Sequence, residues 1–471
     1  MPRYDDWPRL LERVRGHAEA YLMSLPARRV PSPVRRPEDL PGLGGDLPDG
    51  PSDPVEVLDA LVAGAEDGIT ATGSGRFFGF VIGGALPAAV AADMLATTWD
   101  QNVGMRALTP AACAAEDAVE RWALDLLGLP GTAVVGLVPG GMSANFTCLA
   151  AARGEVLRRA GWDLDAHGLQ GAPKVHVLAN ADRHETVDRA LRFLGLGRPV
   201  PVATDEHGRM RPEALVAALA EVPEDAPLVV STYAGHINTG AYDPFAELVP
   251  LVRARGGWVH VDGAIGLWAG ASERLKDRVA GVEAADSWAT DAHKTLNVPY
   301  DCGLAVVADP QALQAAMSMH ADYLITEDSS PLEPWSRTPE WSRRARGFPV
   351  WAALRSLGRS GVADLVDRLH DNALAMADGL AGIDGLEVVN QVWSTQVCAR
   401  MATDEQTRAL VDVVLADGRT WISGSRWHDR AVIRVSMSNW MTGPGDLEAA
   451  LDVVRGAVTA VRGRPLPAGA G

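Results

Sequence analysis

Apolar residues follow two rhythms along this chain. Short continuous apolar runs at Ala133 to Val138, Lys174 to Leu178, Leu228 to Thr232, Trp258 to Asp262 and Leu304 to Val307 read as strands, because runs of this length bounded by Gly, Pro or charge suit strands covered on both faces. Between them the apolar positions recur every three or four residues. Pro110 to Gly128, the stretch ending at Arg159, the one ending at Leu194, Phe245 to Arg255 and Gln311 to His320 carry this helical spacing. Strand and helix patterns in alternation predict an α/β fold with a mainly parallel, doubly wound sheet and right-handed crossovers.

The two ends follow other rules. Trp7 to Leu25 has helical spacing, and Pro26 to Pro54 is dense in Pro, Gly and charge. Such a linker buries little surface by itself; it is either a disordered arm or an arm laid on a second subunit, and the apolar helix before it favours the second. Arg76 to Gly84 is apolar and punctuated by glycine, like a core strand and turn, and a helix is predicted near Pro87 to Thr98. From about Arg359 the pattern shifts to a long helix over Val362 to Leu380, strands at Gly385 to Val389, Gln396 to Arg400 and Ala431 to Ser436, and a Gly- and Trp-rich turn at Trp421 to Trp427. This predicts a smaller α+β domain. The tail from Arg464 to Gly471 reads as disordered.

Composition narrows the function. The chain has 471 residues, 47% of them hydrophobic, enough for a large core or more than one domain. A net charge of -17 argues against nucleic acid or an anionic membrane as the main partner. Cys113, Cys148, Cys302 and Cys398 are widely spaced with no C-x-x-C, which suits a reducing compartment and neither a disulfide frame nor a zinc site. The start has no apolar leader and no run reaches membrane-spanning length, so the expectation is a soluble cytoplasmic protein without a metal.

The candidate chemistry lies in Ala285 to Gly303. Lys294 stands just past an apolar run and directly after His293. Alone it reads as a solvated surface charge. Held at a strand edge and partly out of water, it reads instead as a nucleophilic amine. Asp262, on the preceding strand Trp258 to Asp262, shifts the balance: a Schiff-base lysine with an aspartate for a pyridinium nitrogen is what pyridoxal phosphate needs. Upstream, the strand ending at Val138 runs into Pro139-Gly140-Gly141-Met142-Ser143-Ala144-Asn145 and a helix. Strand, glycine turn and helix N-terminus form an anion site. His184 falls at a strand-to-helix junction, either a solvent-facing helix cap or a site residue.

From about Phe77 to Thr442 these motifs, in this order, resemble the group II pyridoxal-phosphate-dependent amino acid decarboxylases, the family of the aromatic amino acid and glutamate decarboxylases. The resemblance implies a fold type I enzyme: an arm over 1–76, a large cofactor-binding domain over 77–350 with a mainly parallel seven-stranded sheet, and a small C-terminal α+β domain over 351–471. It implies a homodimer with sites near the subunit interface. Lys294 would carry pyridoxal 5'-phosphate, Asp262 would face its ring nitrogen, His184 would stack on the ring, and Tyr323 would protonate the substrate carbon. Gly141, Met142, Ser143, Ala264, Asp291 and His293 would complete the cofactor contacts. Phe80, Val81, Ile82, Asn102 and Gly104 would line the substrate pocket, with Arg434 either gripping a carboxylate or making a strand-edge ion pair. The chain departs from the family in three places: Met142 replaces a hydroxyl residue, His236 and Ile237 replace small turn residues, and Asn102 and Gly104 stand where aromatic-specific members are bulky. His236 is either an added titratable group or structural.

The implied reaction is α-decarboxylation of an L-amino acid to the amine and carbon dioxide. Aldehyde-forming oxidative deamination and aldol-type cleavage are the alternatives on the same fold, and the presence of both Tyr323 and His184 favours simple decarboxylation. A non-catalytic scaffold is disfavoured by Lys294 and Asp262 together, and a dinucleotide enzyme by the missing G-x-G-x-x-G. With no arginine clearly facing the pocket, a medium or large apolar or aromatic side chain is expected over an acidic one.

Overall fold

The computed structural model describes residues 6–318 and 332–463. Its large sheet is built from β1 (Val134–Val138), β2 (His176–Asn180), β3 (Val200–Val202), β4 (Leu228–Tyr233), β5 (Trp258–Asp262), β6 (Ser287–Asp291) and β7 (Gly303–Val307), in the order β1-β7-β6-β5-β4-β2-β3. Only β7 runs against its neighbours.

The continuous apolar runs have a simple cause. Side chains alternate between faces along a strand, and here both faces are covered. Val135, Leu137, Leu178, Val230, Val259, Val261, Trp288, Leu304 and Val306 enter one core. Their neighbours Val134, Val138, Val177, Val229, Trp258, Ala289, Ala305 and Val307 enter the other. The second core is roofed by the helix Gly141–Arg159, whose inward face carries Ala144, Cys148, Ala151 and Ala152. These small residues let it lie close enough for the Cys148 thiol to donate to the Trp288 carbonyl at 3.4 Å. The fold therefore sets the N-terminus of this helix at the C-terminal edge of β1, beside the ends of β5 and β6.

A second, antiparallel sheet follows, with β8 (Glu387–Val388), β9 (Gln396–Arg400), β10 (Ser423–Trp427) and β11 (Arg430–Ser436) in the order β10-β11-β9-β8. It packs on the helices Asp404–Asp417 and Pro444–Arg462 and on the C-terminal part of the helix Gly347–Ala381. That last span is two helices meeting at a kink at Gly358, where φ is 63°.

Two expectations change. Trp421 to Trp427 is no turn: its last five residues are β10, joined to β11 through His428 and Asp429, both at positive φ. Such a two-residue loop matches the twist of the strands it joins. Arg76 to Gly84 forms no strand. It makes a single bridge, Phe77 to Trp421, and then wraps the small-domain sheet. The linker after residue 25 is anchored where Val30, fully buried, donates to Gly418 and accepts from Ala71. Before it, the helix Trp7–Ser24 buries no residue and is tied to the helix Pro54–Ala65 by Arg13 and His17 on Asp59 at 2.6 and 2.8 Å. Among the described residues no helix is long and apolar enough to cross a membrane.

Candidate active site

The ends of β4, β5 and β6 meet the glycine turn after β1 and the junction after β2. This is the carboxyl edge of the sheet, where α/β folds place their ligands.

Asp262 ends β5 and is buried. Its Oδ1 accepts from the Ala264 N–H at 3.2 Å and its Oδ2 from Asn145 Nδ2 at 3.1 Å. Burial pushes its carboxyl up from the usual range, against the pull of His184, of Lys294, and of those two hydrogen bonds. His184, far away in sequence, is linked to Asp262 through Thr186 and Asn145. Such a carboxylate is strongly stabilised by a cation brought against it.

Asn145 belongs to a directed chain of hydrogen bonds. Trp258 Nε1 donates to Ser287 Oγ at 2.9 Å, and Ser287 is 2.9 Å from His260 Nδ1. His260 Nε2 is 2.9 Å from Asn145 Oδ1. Asn145 Nδ2 donates onward to Asp262 and, at 3.1 Å, to Thr186 Oγ1, which lies 2.9 Å from His184 Nδ1. Trp258 can only donate and an ionised Asp262 can only accept, so every proton between them has one consistent position. Burial holds His260 near 3, so it stays neutral and relays this polarity.

His184 caps the helix Glu185–Phe193, its Nδ1 accepting the Thr186 N–H at 3.3 Å. The helix-cap reading is thus correct, and it leaves Nε2 and the exposed ring face free. The two readings of His184 are compatible.

Lys294 is about one-fifth exposed and its Nζ lies 2.8 Å from Asp291 Oδ2. The turn that carries it is fixed through the backbone. Asn297, at φ 55°, donates to the Lys294, Thr295 and Ser438 carbonyls at 3.2, 2.8 and 3.0 Å. A Cβ on Gly83 would stand 2.4 Å from the Lys294 carbonyl, so only glycine lets that segment pass. His293 accepts the Cys302 N–H on Nδ1 at 3.1 Å and stacks on Tyr300 at 4.2 Å. Burial lowers its pKa.

Gly140 and Gly141 start the helix after β1 with no capping side chain. A Cβ on Gly141 would lie 2.9 Å from Asp291 Oδ2 and 3.7 Å from Ala264 Cβ. The turn thus abuts both the Asp291–Lys294 pair and the residue after the Asp262 strand. Met142 and Ser143 are the next two residues of that helix, partly buried.

A second cluster comes from the small-domain sheet. Arg434 is buried and donates from Nη2 to the Phe80 carbonyl at 3.0 Å, while its Nε has no hydrogen-bond partner. It forms no ion pair with a described carboxylate; burial lowers its pKa, and the buried Tyr233 phenol feels both Asp262 and Arg434. Phe80 itself sits at φ 56° with its side chain exposed, its N–H held by Ser423 Oγ and its carbonyl also by Ser436 Oγ. Val81 is buried and Ile82 half-buried beside it.

Other residues fall elsewhere. Asn102 bonds to Ser342 and to the Arg343 N–H, and a Cβ on Gly104 would meet Trp341. None of these contacts reaches Lys294, Asp262 or His184. His236 is structural: Nδ1 accepts the Asn238 and Thr239 N–H groups at 3.2 Å, its ring packs on Trp427, and burial holds it near 4. Tyr323 lies outside the described residues. Among the described residues no cluster of three or more His, Cys, Asp or Glu is placed to hold a metal. Sequence reading passed over Thr186, His260, Ser287 and Asn297; for His260 and Ser287 the available signal was a polar residue inside an otherwise apolar strand.

These residues fit pyridoxal phosphate. Among the described residues the buried Asp262 carboxylate has no ion-paired cation, and an uncapped helix N-terminus abuts both the residue after its strand and the Asp291–Lys294 pair.

A sequence model described as "Pyridoxal-dependent decarboxylase conserved domain" matches residues 42–402. The aromatic-L-amino-acid decarboxylase of Bacillus atrophaeus is 30% identical over 335 residues, 68% of this chain and 66% of that protein. The L-2,4-diaminobutyrate decarboxylase of Rhizobium meliloti is 31% identical over 62% of this chain and 58% of that one. The chain thus spans about 58 to 66% of the length of these relatives. Among solved structures, that of Oryza sativa TDC with PLP and tryptamine superposes with a TM-score of 0.90 at 23% identity, covering 97% of this chain and 98% of the other. Mouse CSAD in apo form gives 0.88 at 21%, over 97% and 99%.

Proposed function

Because this chain belongs to the pyridoxal-dependent decarboxylase family, we propose that it is a carboxy-lyase that removes the α-carboxylate of an L-amino acid as carbon dioxide and releases the amine. The observation that carries this reading is the buried Asp262 carboxylate, aligned by the donor chain from Trp258 and linked to His184 through Asn145 and Thr186, with the Lys294–Asp291 pair against the adjoining glycine turn. When bound, pyridoxal phosphate supplies the electron sink for the pair left on the substrate carbon.

The chain's own residues would do the rest. Lys294 would hold the cofactor covalently. Asp262 would favour a proton on the ring nitrogen, since a buried carboxylate beside a cation favours the charged pair. His184 presents its free ring face to the cofactor while its capping bond fixes the ring plane. Gly141, Met142 and Ser143 offer backbone N–H groups, and Ala264 leaves room for the ring. Tyr323, by family resemblance, returns a proton to the substrate carbon. Arg434 meets a substrate carboxylate, which would supply the anionic partner it lacks. Phe80, Val81 and Ile82 form an apolar wall, which favours a medium or large apolar or aromatic side chain.

We read the chain as an arm over 1–76, a large domain over 77–350 and a small domain over 351–471, acting as a cytoplasmic homodimer. Trp7, Leu11, Val14, Leu22 and Met23 lie exposed on or just beside the first helix, a face that a second copy would cover. Light scattering should give the mass of two chains; a monomer at assay concentrations would remove the dimer from this reading.

The reaction is tested by incubating the protein with pyridoxal phosphate and a panel of amino acids. Amine and carbon dioxide are expected in equal amounts, and aldehyde with peroxide as the main product would overturn the assignment. In the same panel Arg434→Met should raise KM by roughly 10- to 100-fold, the scale of a hydrogen bond to a charged group. Its thermal stability should hold, because the arginine has no buried anion to leave behind. An unchanged KM would sever Arg434 from the substrate.

A further inference from the structure

Asn297 is fully buried and lies where three segments far apart in sequence cross. It closes the turn that carries Lys294. Its backbone N–H donates to the Lys294 carbonyl at 3.1 Å, and its Nδ2 to the Lys294 and Thr295 carbonyls at 3.2 and 2.8 Å. The same Nδ2 donates to the Ser438 carbonyl at 3.0 Å, while Oδ1 accepts the Trp440 N–H at 3.0 Å. The Asn297 backbone carbonyl accepts the Leu86 N–H at 2.8 Å. The amide has a single orientation here, since a peptide N–H can only donate and a carbonyl can only accept. Its φ of 55° is a conformation that asparagine tolerates better than most residues.

Two of the three segments lead to Arg434. β11 carries Arg434 and runs on through Met437, whose N–H is held by the Thr395 carbonyl, into Ser438 and Trp440. The stretch from Phe80 to Leu86 starts on the Arg434 guanidinium and the Ser436 hydroxyl, packs on the Lys294 carbonyl at Gly83 and ends on Asn297. Along it the Trp440 indole donates to the Ala85 carbonyl at 3.0 Å. Lys294 and Arg434 are thus braced against each other by two paths that meet at one residue. Such bracing matters for a reacting amine, because a misplacement of about 1 Å can cost on the order of 100-fold in rate.

We propose that Asn297 is a positioning residue that registers the Lys294 amine against the small-domain strand carrying Arg434, so that the group holding the cofactor and the group facing the substrate keep a fixed spacing. The inference rests on the cofactor reading above. Attachment of the cofactor joins Nζ to the aldehyde carbon by a double bond and releases the aldehyde oxygen as water with the two amine hydrogens; nothing is oxidised or reduced. Asn297 takes no part in that step and acts only through the turn that carries the lysine.

Asn297→Gly removes the amide and leaves the backbone free to keep the same φ. Cofactor-stripped full-length proteins are mixed with saturating pyridoxal phosphate, well below the melting temperature of either, and the near-visible band is followed in time. The variant should form it about 10- to 100-fold more slowly than the wild type. Hydrogen exchange gives a second readout. A ligand that holds one end of a bonded cluster suppresses opening at the other, so loading with pyridoxal phosphate should slow exchange across 434–441 severalfold in the wild type and not in Asn297→Gly. An asparagine that only held the fold together would give another pattern: the variant would melt lower yet form its band at the wild-type rate, and that result overturns the proposal. Equal slowing of 434–441 in both proteins also overturns it, because the cofactor would then reach that strand without Asn297. If Asn297→Gly does not fold, the wild type decides alone: no slowing of 434–441 on loading refutes it. A wild type that gives no band at all is a different result and removes the cofactor reading instead.

Discussion

Lys294→Ala should yield a protein that folds, loses the near-visible absorbance band given by covalently held pyridoxal phosphate, and loses decarboxylation by about 10⁴-fold or more, the scale seen when an enzyme's nucleophile is deleted. Folding should survive because the turn is held through its backbone. Asn297 bonds the Lys294 and Thr295 carbonyls, and Gly83 packs on the Lys294 carbonyl. The substitution has a side effect that identifies the neighbour. It strips the enclosed Asp291 carboxylate of its ammonium at 2.8 Å, and an unpaired buried charge is destabilising. The Lys294→Ala protein should therefore melt below the wild type, and adding Asp291→Asn should restore most of the loss without restoring the absorbance band. A band that persists in Lys294→Ala would place the cofactor on another residue.

How much of this was legible follows from what each feature depends on. Strand positions in the large sheet were readable because both faces are buried, so alternation collapses into apolar runs such as Val134–Val138 and Gly303–Val307 that stand out against polar helices. Lys294, Asp262, His184 and the glycine turn each lie at or just past a strand end, a position that spacing reveals, while their proposed roles came from the family resemblance. β10 was not. Its residues Ser423, Gly424, Ser425 and Arg426 are small or polar, and its pairing comes from a positive-φ turn at His428-Asp429, which carries no glycine to announce it. Arg76 to Gly84 failed the other way. Its apolar residues are buried by loop packing on the small-domain sheet, and Phe80 takes a left-handed conformation that a strand would exclude.

The polar network under the site was the least legible part. His260 lies inside an apolar strand and Ser287 begins another, and neither carries a motif. Their meaning appears only when β5 and β6 pair in register, setting His260 opposite Ser287. Asn145 was visible in the glycine turn, but its two donations, to Asp262 and to Thr186, tie together segments 117 and 41 residues away. Arg434 shows the same limit. Strand periodicity puts it inside or outside, and only the fold supplies the Phe80 carbonyl and withholds a carboxylate.

Asp262→Asn isolates what this network is for. An amide accepts on one atom only, whereas the Ala264 N–H and Asn145 Nδ2 now donate to two different oxygens. The donor order running from Trp258 leaves no way to reverse Asn145, whose Oδ1 faces His260. One donor is therefore left against an NH₂ group, at a cost of about 1–3 kcal/mol, and the variant cannot stabilise a proton on the ring nitrogen. Decarboxylation should fall by roughly 10²- to 10⁴-fold, with covalent cofactor binding retained, which separates this variant from Lys294→Ala. The cofactor-free proteins should differ in a second way. Burial raises the Asp262 carboxyl in the folded state, so the folded chain holds its proton where the unfolded chain has released it, and wild-type stability falls as pH rises above the ordinary carboxylate range. Asp243, pushed up to about 7 by burial, has the same sign in both proteins and cancels in the comparison. Asp262→Asn should therefore gain stability on the cofactor-free wild type as pH is raised from about 4, and saturating cofactor, which brings a cation to the carboxylate, should reverse that order. A stability difference independent of pH would mean that Asp262 is already ionised without a partner, and its pairing with the ring nitrogen would lose its energetic basis.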